Sequence, residues 1–296
     1  MYSQIDSNKQ KSLLLIVIFI VFILLLGWLF SQITIYGYTG LIIAGMIAVV
    51  ISLVGYFSGD KIALATAGAK PLKKKDNPYV YRLVENLCIT AGLSLPKIYI
   101  INDSAPNAFA TGRDPKHASI ALTTGLIEKL ENEELEGVIA HELSHIKNYD
   151  IRLMTLVVVL VGIVSIFSHY MFRMGLFGGF RRNNRNQGSF GMIILITSVV
   201  FIILSPIIAQ LIKLAVSRKR EYLADASGVL LTRYPEGLAK ALEKISHYSK
   251  PLKNANGATA HLYISSPFGK TKNFTANLFN THPPLQKRIA ALRKMG

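Results

Sequence analysis

The chain has 296 residues, enough for one large domain or two small ones, and pairs 51% hydrophobic with only 17% charged residues, too little charge for an ordinary soluble domain. The formal net charge of +16 invites a nucleic-acid reading, yet no nucleic-acid motif accompanies it, and basic residues flanking apolar spans account for it. The single cysteine, Cys88, excludes an intrachain disulfide framework and suits a reducing compartment, where it reads as a small core residue.

Lys9 and Lys11 precede Leu13–Phe30, an uncharged and mostly apolar run. It exceeds a signal-peptide core and no small-residue cleavage site follows, so an uncleaved anchor is expected. A turn-rich link around Gly37 and Gly40 leads to a second span, Leu41–Phe57; no charged residue occurs from Ser12 to Gly59. Lys61, Lys70 and Lys73-Lys74-Lys75 follow. Lysines at both outer flanks place the N-terminus and the residues after the second span on the cytoplasmic face, with the lysine triplet near lipid headgroups.

Residues 76–150 read as a first soluble block. Asn77-Pro78-Tyr79 opens an amphipathic helix to about Ala91, and Pro96–Ile101 is a strand candidate rich in β-branched and aromatic residues. Asn107–Gly112 is a second strand or extended loop, and His117–Thr123 a third strand. Asn132 is the expected N-cap of the next helix, whose positive dipole end suits Glu133, Glu134 and Glu136. Leu153–Phe172 and Phe190–Ile212 form a third and a fourth apolar run, separated by Arg173–Ser189 with its four arginines. Full crossing places those arginines outside, against the positive-inside tendency; a hairpin that does not cross is the alternative. In the second block, residues 213–296, helices are expected over Ser217–Thr232, Pro235–Tyr248 and Gln286–Lys294, with Lys250–Asn280 irregular.

The chemistry centres on His141-Glu142-Leu143-Ser144-His145. Positions i and i+4 of a helix lie about 40° apart, so both imidazoles can reach one metal ion while Glu142 faces a metal-bound water. A catalytic zinc takes three protein ligands and keeps one position open. The metzincin continuation is absent, because Asn148 and Arg152 stand where its glycine and third histidine would be. Glu221 is the leading third ligand, since Glu221 and Asp225 repeat the i,i+4 spacing on a second helix, and one carboxylate can bind metal while the other accepts a ligand histidine's free N–H. The third and fourth runs, taken as a hairpin, return Glu221 to the face of His141. Glu142 is then the general base. His282 and Arg288 are candidates for the oxyanion donor, and Asn107-Ala108-Phe109 is a plausible sheet edge for substrate to join. His282 as a cap and Arg288 as a solvated helix charge are the alternatives. His117, His247 and His261 read as surface or strand residues, and His169 as interfacial.

With these residues in hand, the chain resembles the HtpX-type membrane zinc metalloproteases, gluzincins related to the type I CAAX prenyl proteases. Five motifs carry the resemblance in order: Asn107-Ala-Phe-Ala-Thr-Gly, His141-Glu-Leu-Ser-His, the apolar hairpin, Arg220-Glu-Tyr-Leu-Ala-Asp, and Thr281-His-Pro-Pro-Leu with Arg288. It implies one zinc ion per chain on His141, His145 and Glu221, a catalytic Glu142 and a supporting Asp225. It further implies a bacterial plasma-membrane enzyme that degrades misfolded or damaged membrane proteins on the cytoplasmic side. The expected class is α+β and mostly helical: an integral membrane protein with about four transmembrane helices and a cytosolic gluzincin-like domain carrying a small sheet. Its parts are a first hairpin (1–60), protease residues 61–152, a second hairpin (153–214) and protease residues 215–296. A catalytically silent scaffold or holdase on the same fold is the alternative. Oligomeric state is not legible.

Overall fold

The computed structural model describes residues 2–33, 38–163, 218–269 and 283–296. His169, His282, the Arg173–Ser189 loop and the fourth apolar run lie outside the described residues, as does the third run beyond residue 163.

Two long helices open the chain, α1 (Tyr2–Ile33) and α2 (Tyr38–Ala67), packed on each other. Both contain a stretch long and apolar enough to cross a membrane, Ile5–Leu25 and Gly45–Ala67. Their outer faces carry large exposed apolar side chains, among them Leu13, Val17, Val21, Ile42, Met46 and Val50, an arrangement that water penalises and lipid does not. α2 does not stop at the expected end of the span. It runs past Asp60 and Lys61, and Ala63, Leu64 and Ala67 enter the protein core.

A four-stranded sheet follows, β1 (Ala69–Pro71), β2 (Lys97–Ile101), β3 (Ala108–Gly112) and β4 (Ala118–Thr123), in the order β1-β2-β4-β3. β2 and β4 are parallel, and β1 and β3 close the two edges antiparallel. β1 was hidden in the sequence by its length and by Lys70, which it leaves half-exposed on an edge. Alternation along the strands serves two cores. Ile98, Ala108, Ala110, Ile120 and Leu122 face α3 (Pro78–Ala91) and α5 (Asn132–Lys147), whereas Ile101, Phe109 and Ala121 face the end of α2 and the helix α6 over 150–163. Both faces being covered, the strands read as continuous apolar runs. Each fully buried leucine or isoleucine contributes about 1.5–3 kcal/mol.

α3 begins as expected, with the Asn77 side chain accepting from the Val80 N–H, and ends at Gly92, φ 67°. A short α4 (Thr124–Lys129), capped by Thr123, follows the third strand. α5 starts one residue earlier than expected, at Asn132 itself. Glu131 is the N-cap, and Glu134 reaches back to accept the Glu131 N–H at 2.9 Å; a capping box outcompetes Asn132, whose side chain instead accepts from Tyr79 Oη. After α5 and α6 come α7 (Arg218–Thr232), α8 (Pro235–His247), a single 3₁₀ turn at Ala260–Leu262, and α9 (Leu285–Arg293).

Two glycine contacts fix how these layers meet. Gly55 and Gly59 of α2, a small-xxx-small pair, sit against Val159 and Thr155 of α6, allowing close helix approach. Gly137 of α5 lies where a Cβ would come within 2.8 Å of the Leu238 backbone nitrogen. Gly137→Ala therefore pushes α8 off the motif helix, and should lower unfolding stability by about 1–3 kcal/mol, read from denaturant midpoints of the detergent-solubilised chain.

Candidate metal centre

α5 presents its two histidines inward because the helix is buried from Gly137 to Ile146. The His141 and His145 rings lie at 89° to one another, with their Nε2 atoms 3.2 Å apart. α7 packs beside α5 through Gly228, whose missing Cβ lets it lie against the His141 backbone. One and two turns earlier, α7 delivers Asp225 and Glu221 to the same place. Glu221 Oε1 is 3.6 Å from His145 Nε2, and Oε2 is 4.0 Å from His141 Nε2. Among the described residues, His141, His145 and Glu221 form a possible metal-holding group, with ligand atoms all within 4.8 Å of one another. Zinc bonds of about 2.0–2.2 Å set tetrahedral edges of roughly 3.3–3.6 Å. The 3.2 Å between the two Nε2 atoms is close to such an edge, and the Glu221 carboxylate stands near both rings, one oxygen 3.6 Å from His145 Nε2 and the other 4.0 Å from His141 Nε2.

The outer nitrogens of the two rings are also engaged. His141 Nδ1 lies 2.9 Å from Asp225 Oδ1 and His145 Nδ1 lies 3.0 Å from Asp150 Oδ2. A carboxylate can only accept, so each Nδ1 carries the proton and each Nε2 turns a lone pair inward. Two lone pairs and a carboxylate converging in a buried space call for a cation. With only a proton to supply it, His145 takes that role: burial opposes its charge, but Asp150, Glu221 and Glu142 outweigh it and push it up to about 9. His141 is pulled down to about 4, by burial first and then by Arg288.

The wider charge balance agrees. Glu142, Asp150, Glu221 and Asp225 are buried beside two buried guanidinium groups, Arg220 and Arg288. With Glu142 ionised, four carboxylates against two guanidinium groups leave two negative charges among these side chains, a costly imbalance in a buried space. A divalent cation between the Nε2 atoms and Glu221 removes it, so the residues present fit zinc. Glu142 stays outside the ligand group. It is hydrogen-bonded to the Ala110 amide and pushed up to about 7, mainly by burial, which tunes a carboxylate toward proton transfer at neutral pH.

Arg288 belongs to the site, and neither expectation for it describes what it does. It is fully buried, which excludes a solvated helix charge. It does not offer free donors to an oxyanion either. Nε and Nη2 clamp the two oxygens of Asp225 at 2.8 and 2.6 Å, Nη1 reaches Glu221 Oε2 at 3.3 Å and the Ile264 carbonyl at 3.3 Å, and Nη2 sits over the His141 ring. Arg288 thereby locks the Glu221–Asp225 helix onto His141.

β3 is a sheet edge, as expected of Asn107-Ala108-Phe109, and it is already engaged. The Ile264 N–H donates to the Ala108 carbonyl at 3.0 Å, Asn107 Nδ2 donates to the Ser265 carbonyl at 3.0 Å, and Tyr263 stacks edge-on with Phe109. Residues 263–265 thus lie along the edge where a peptide was expected. His261 is not a surface residue: it is buried, with Nε2 2.9 Å from the Met154 carbonyl. His117 and His247 are exposed and bond locally, to Asp114 and to the Glu243 carbonyl. Cys88 is buried, its thiol pushed up to about 11 by burial.

Sequence reasoning missed Asp150. On an unbroken helix, position i+5 from His145 points away from it, but α5 ends at Asn148 and Tyr149 adopts a left-handed φ of 60°. That elbow swings Asp150 back beneath His145. Only the H-x-x-x-x-D spacing hinted at it. Replacing Asp225 by asparagine removes the charge that Arg288 and His141 share, and should lower zinc affinity by about 10–100-fold, measured by competition with a chromogenic chelator.

The family model for peptidase family M48 matches residues 74–296. The protease HtpX homolog of Caldanaerobacter subterraneus subsp. tengcongensis is 42% identical over 297 residues, covering 100% of this chain and 98% of the relative. That of Tropheryma whipplei is 45% identical over 300 residues, covering 100% and 99%. Among solved structures, S. mikatae Ste24p is similar at 21% identity and a TM-score of 0.49, over 99% of this chain and 67% of that one.

Proposed function

The chain belongs to peptidase family M48, and on that premise we propose that it is a membrane-embedded zinc endopeptidase acting at the cytoplasmic face on misfolded or damaged membrane proteins. The observation that carries the zinc reading is the buried group of His141, His145 and Glu221, with both outer ring nitrogens held by carboxylates. His141, His145 and Glu221 would hold the zinc, which would supply a Lewis acid for the scissile carbonyl and acidify the attacking water. Glu142, its carboxyl raised by burial and steadied by the Ala110 amide, takes the proton of the attacking water and returns it to the leaving amine. Asp225, clamped by Arg288, keeps His141 in one tautomer. A substrate strand adds to β3 by backbone hydrogen bonds, displacing residues 263–265 from Asn107 and Ala108.

The membrane reading is supported by α1 and α2, whose length and exposed apolar faces suit lipid. Lys9 and Lys11 before the first span, and Lys61 and Lys73–Lys75 after the second, favour a cytoplasmic N-terminus and catalytic domain. The third and fourth runs are read as a crossing hairpin that returns Glu221 to that side. The silent scaffold remains the competing reading, and an intact, charge-balanced metal group argues against it.

Glu142→Gln should keep zinc at the wild-type stoichiometry and lose casein cleavage by at least about a hundredfold, while Glu221→Ala loses zinc as well. Zinc analysis beside the cleavage assay checks both; a fully active Glu142→Gln chain sinks the proposed base, and a zinc-replete Glu221→Ala chain sinks the third ligand. For orientation, a reporter inserted in 181–187 should be reachable from outside the cell and an N-terminal tag should not, whereas a protected loop favours the non-crossing hairpin.

A further inference from the structure

A buried amide on the first helix reaches the metal centre. Asn8 of α1 is 1% exposed. Its Nδ2 donates to the Asn148 carbonyl at 2.9 Å and to Asp150 Oδ1 at 2.7 Å, and its Oδ1 accepts from Arg220 Nη1 at 3.2 Å. The chemistry fixes the orientation of this amide. Turned over, it would set its NH₂ against a guanidinium and its oxygen against a carboxylate.

Each partner of Asn8 belongs to the support of His145. Asp150 Oδ2 accepts from His145 Nδ1, and Arg220 stands 3.6 Å from Asp150 Oδ1. Asn148 and Tyr149 form the elbow that brings Asp150 there. That elbow holds a tyrosine in the left-handed region, which a side chain with a Cβ disfavours, so something must hold it in place. α1 supplies part of the restraint. Besides the two Asn8 hydrogen bonds, Lys9 lies over one side of the Tyr149 ring at 4.9 Å, and Arg152 of α6 is 5.3 Å from the ring centroid. Helices whose outer faces suit lipid seldom bury a polar side chain without a use for it.

We propose that Asn8 is a positioning residue of the zinc centre: acting through Asp150, it sets the ring of His145 and so makes metal affinity depend on the docking of the first apolar helix. This rests on the zinc reading above. A merely structural Asn8 would fasten α1 and leave metal affinity alone.

The test is zinc affinity, by competition with a chromogenic chelator, on the full chain in detergent. Asp150→Asn should weaken zinc by about 10–100-fold and Asn8→Ala by about 3–10-fold, as outer partners of a ligand histidine do. The double variant should bind no more weakly than Asp150→Asn alone, because both changes cut the same path. Ser12→Ala serves as control, since Ser12 is buried one turn on and, among the described residues, its hydroxyl bonds only its own helix at the Asn8 carbonyl; its affinity should match wild type. Should Asn8→Ala fail to fold, Asn8→Asp keeps the size and the Arg220 contact while setting a carboxylate against Asp150, and should weaken zinc at least as much. Wild-type affinity in either Asn8 variant, losses that multiply in the double variant, or an equal loss in Ser12→Ala overturns the proposal. A wild-type chain that takes up no zinc instead overturns the metal reading beneath it.

Discussion

Two imidazole nitrogens 3.2 Å apart, with their outer faces tied to carboxylates, impose the condition that the rest of the structure must meet. Such a pair is tolerable in a buried space only around a cation. Once the cation is divalent, the acids and guanidinium groups around it must come close to neutrality. Glu142, Asp150, Glu221 and Asp225 against Arg220 and Arg288 achieve that with two charges supplied from outside. Removing any one of the six leaves an unpaired buried charge, and that is costlier than an unmade contact at a surface. Much of the chain can be read as the means of bringing those six side chains to one point.

The means are geometric. α5 offers the histidines at the one spacing that puts both on a face. α7 can lie against it because Gly228 has no side chain, and its own i,i+4 pair then faces the rings. α9 closes the far side with Arg288, whose bidentate grip on Asp225 ties three helices to one tautomer of His141. The elbow after α5 brings Asp150 under His145, and the sheet supplies the Ala110 amide that steadies Glu142. Apart from the pairs on α5 and α7 and Asp150 just beyond α5, these groups lie far from one another in sequence, so the centre is assembled by packing, and the glycine contacts at Gly137 and Gly228 set its tolerances.

What could be read from the sequence follows from the same geometry. His141, Glu142, His145, Glu221 and Asp225 were legible because helical periodicity alone decides which way i and i+4 point. The strand at 97–101 was legible from β-branched and aromatic content, the one at 118–123 was placed as a strand, and 107–112 was left between a strand and an extended loop. Asp150 was hidden because its position depends on a left-handed Tyr149, a conformation no local rule assigns to tyrosine. Arg288 was legible as a member of the site, but its role was misjudged, since only tertiary structure shows its donors occupied. β1 is three residues long and too short to carry a period. Gly55-x-x-x-Gly59 drew no reading from the sequence, and its partner, α6, is shown only by the packing. Asn8 sat in plain view beside Lys9 and Lys11, and nothing about an amide before an apolar run connects it with a histidine more than a hundred residues on.

The occupied edge of β3 bears on which substrates such a centre can serve. His141, Glu142, His145 and Glu221 are all buried, and residues 263–265 hold the Asn107–Ala108 edge by one backbone hydrogen bond, two between the Asn107 side-chain amide and the Ser265 backbone, and one aromatic contact. A peptide that replaces this segment must offer the same pattern, an extended backbone with a side chain beside Phe109. At a net value of about 0.5–1.5 kcal/mol for each hydrogen bond, the contacts displaced amount to a few kcal/mol, which a strand pairing over several residues can offset. A folded protein would have to unfold locally first, whereas a segment already extended would not. On the proposed reading, selection for loosely folded chains then needs no separate recognition module: it follows from an edge that is covered by the chain itself and opens only in exchange for an extended backbone.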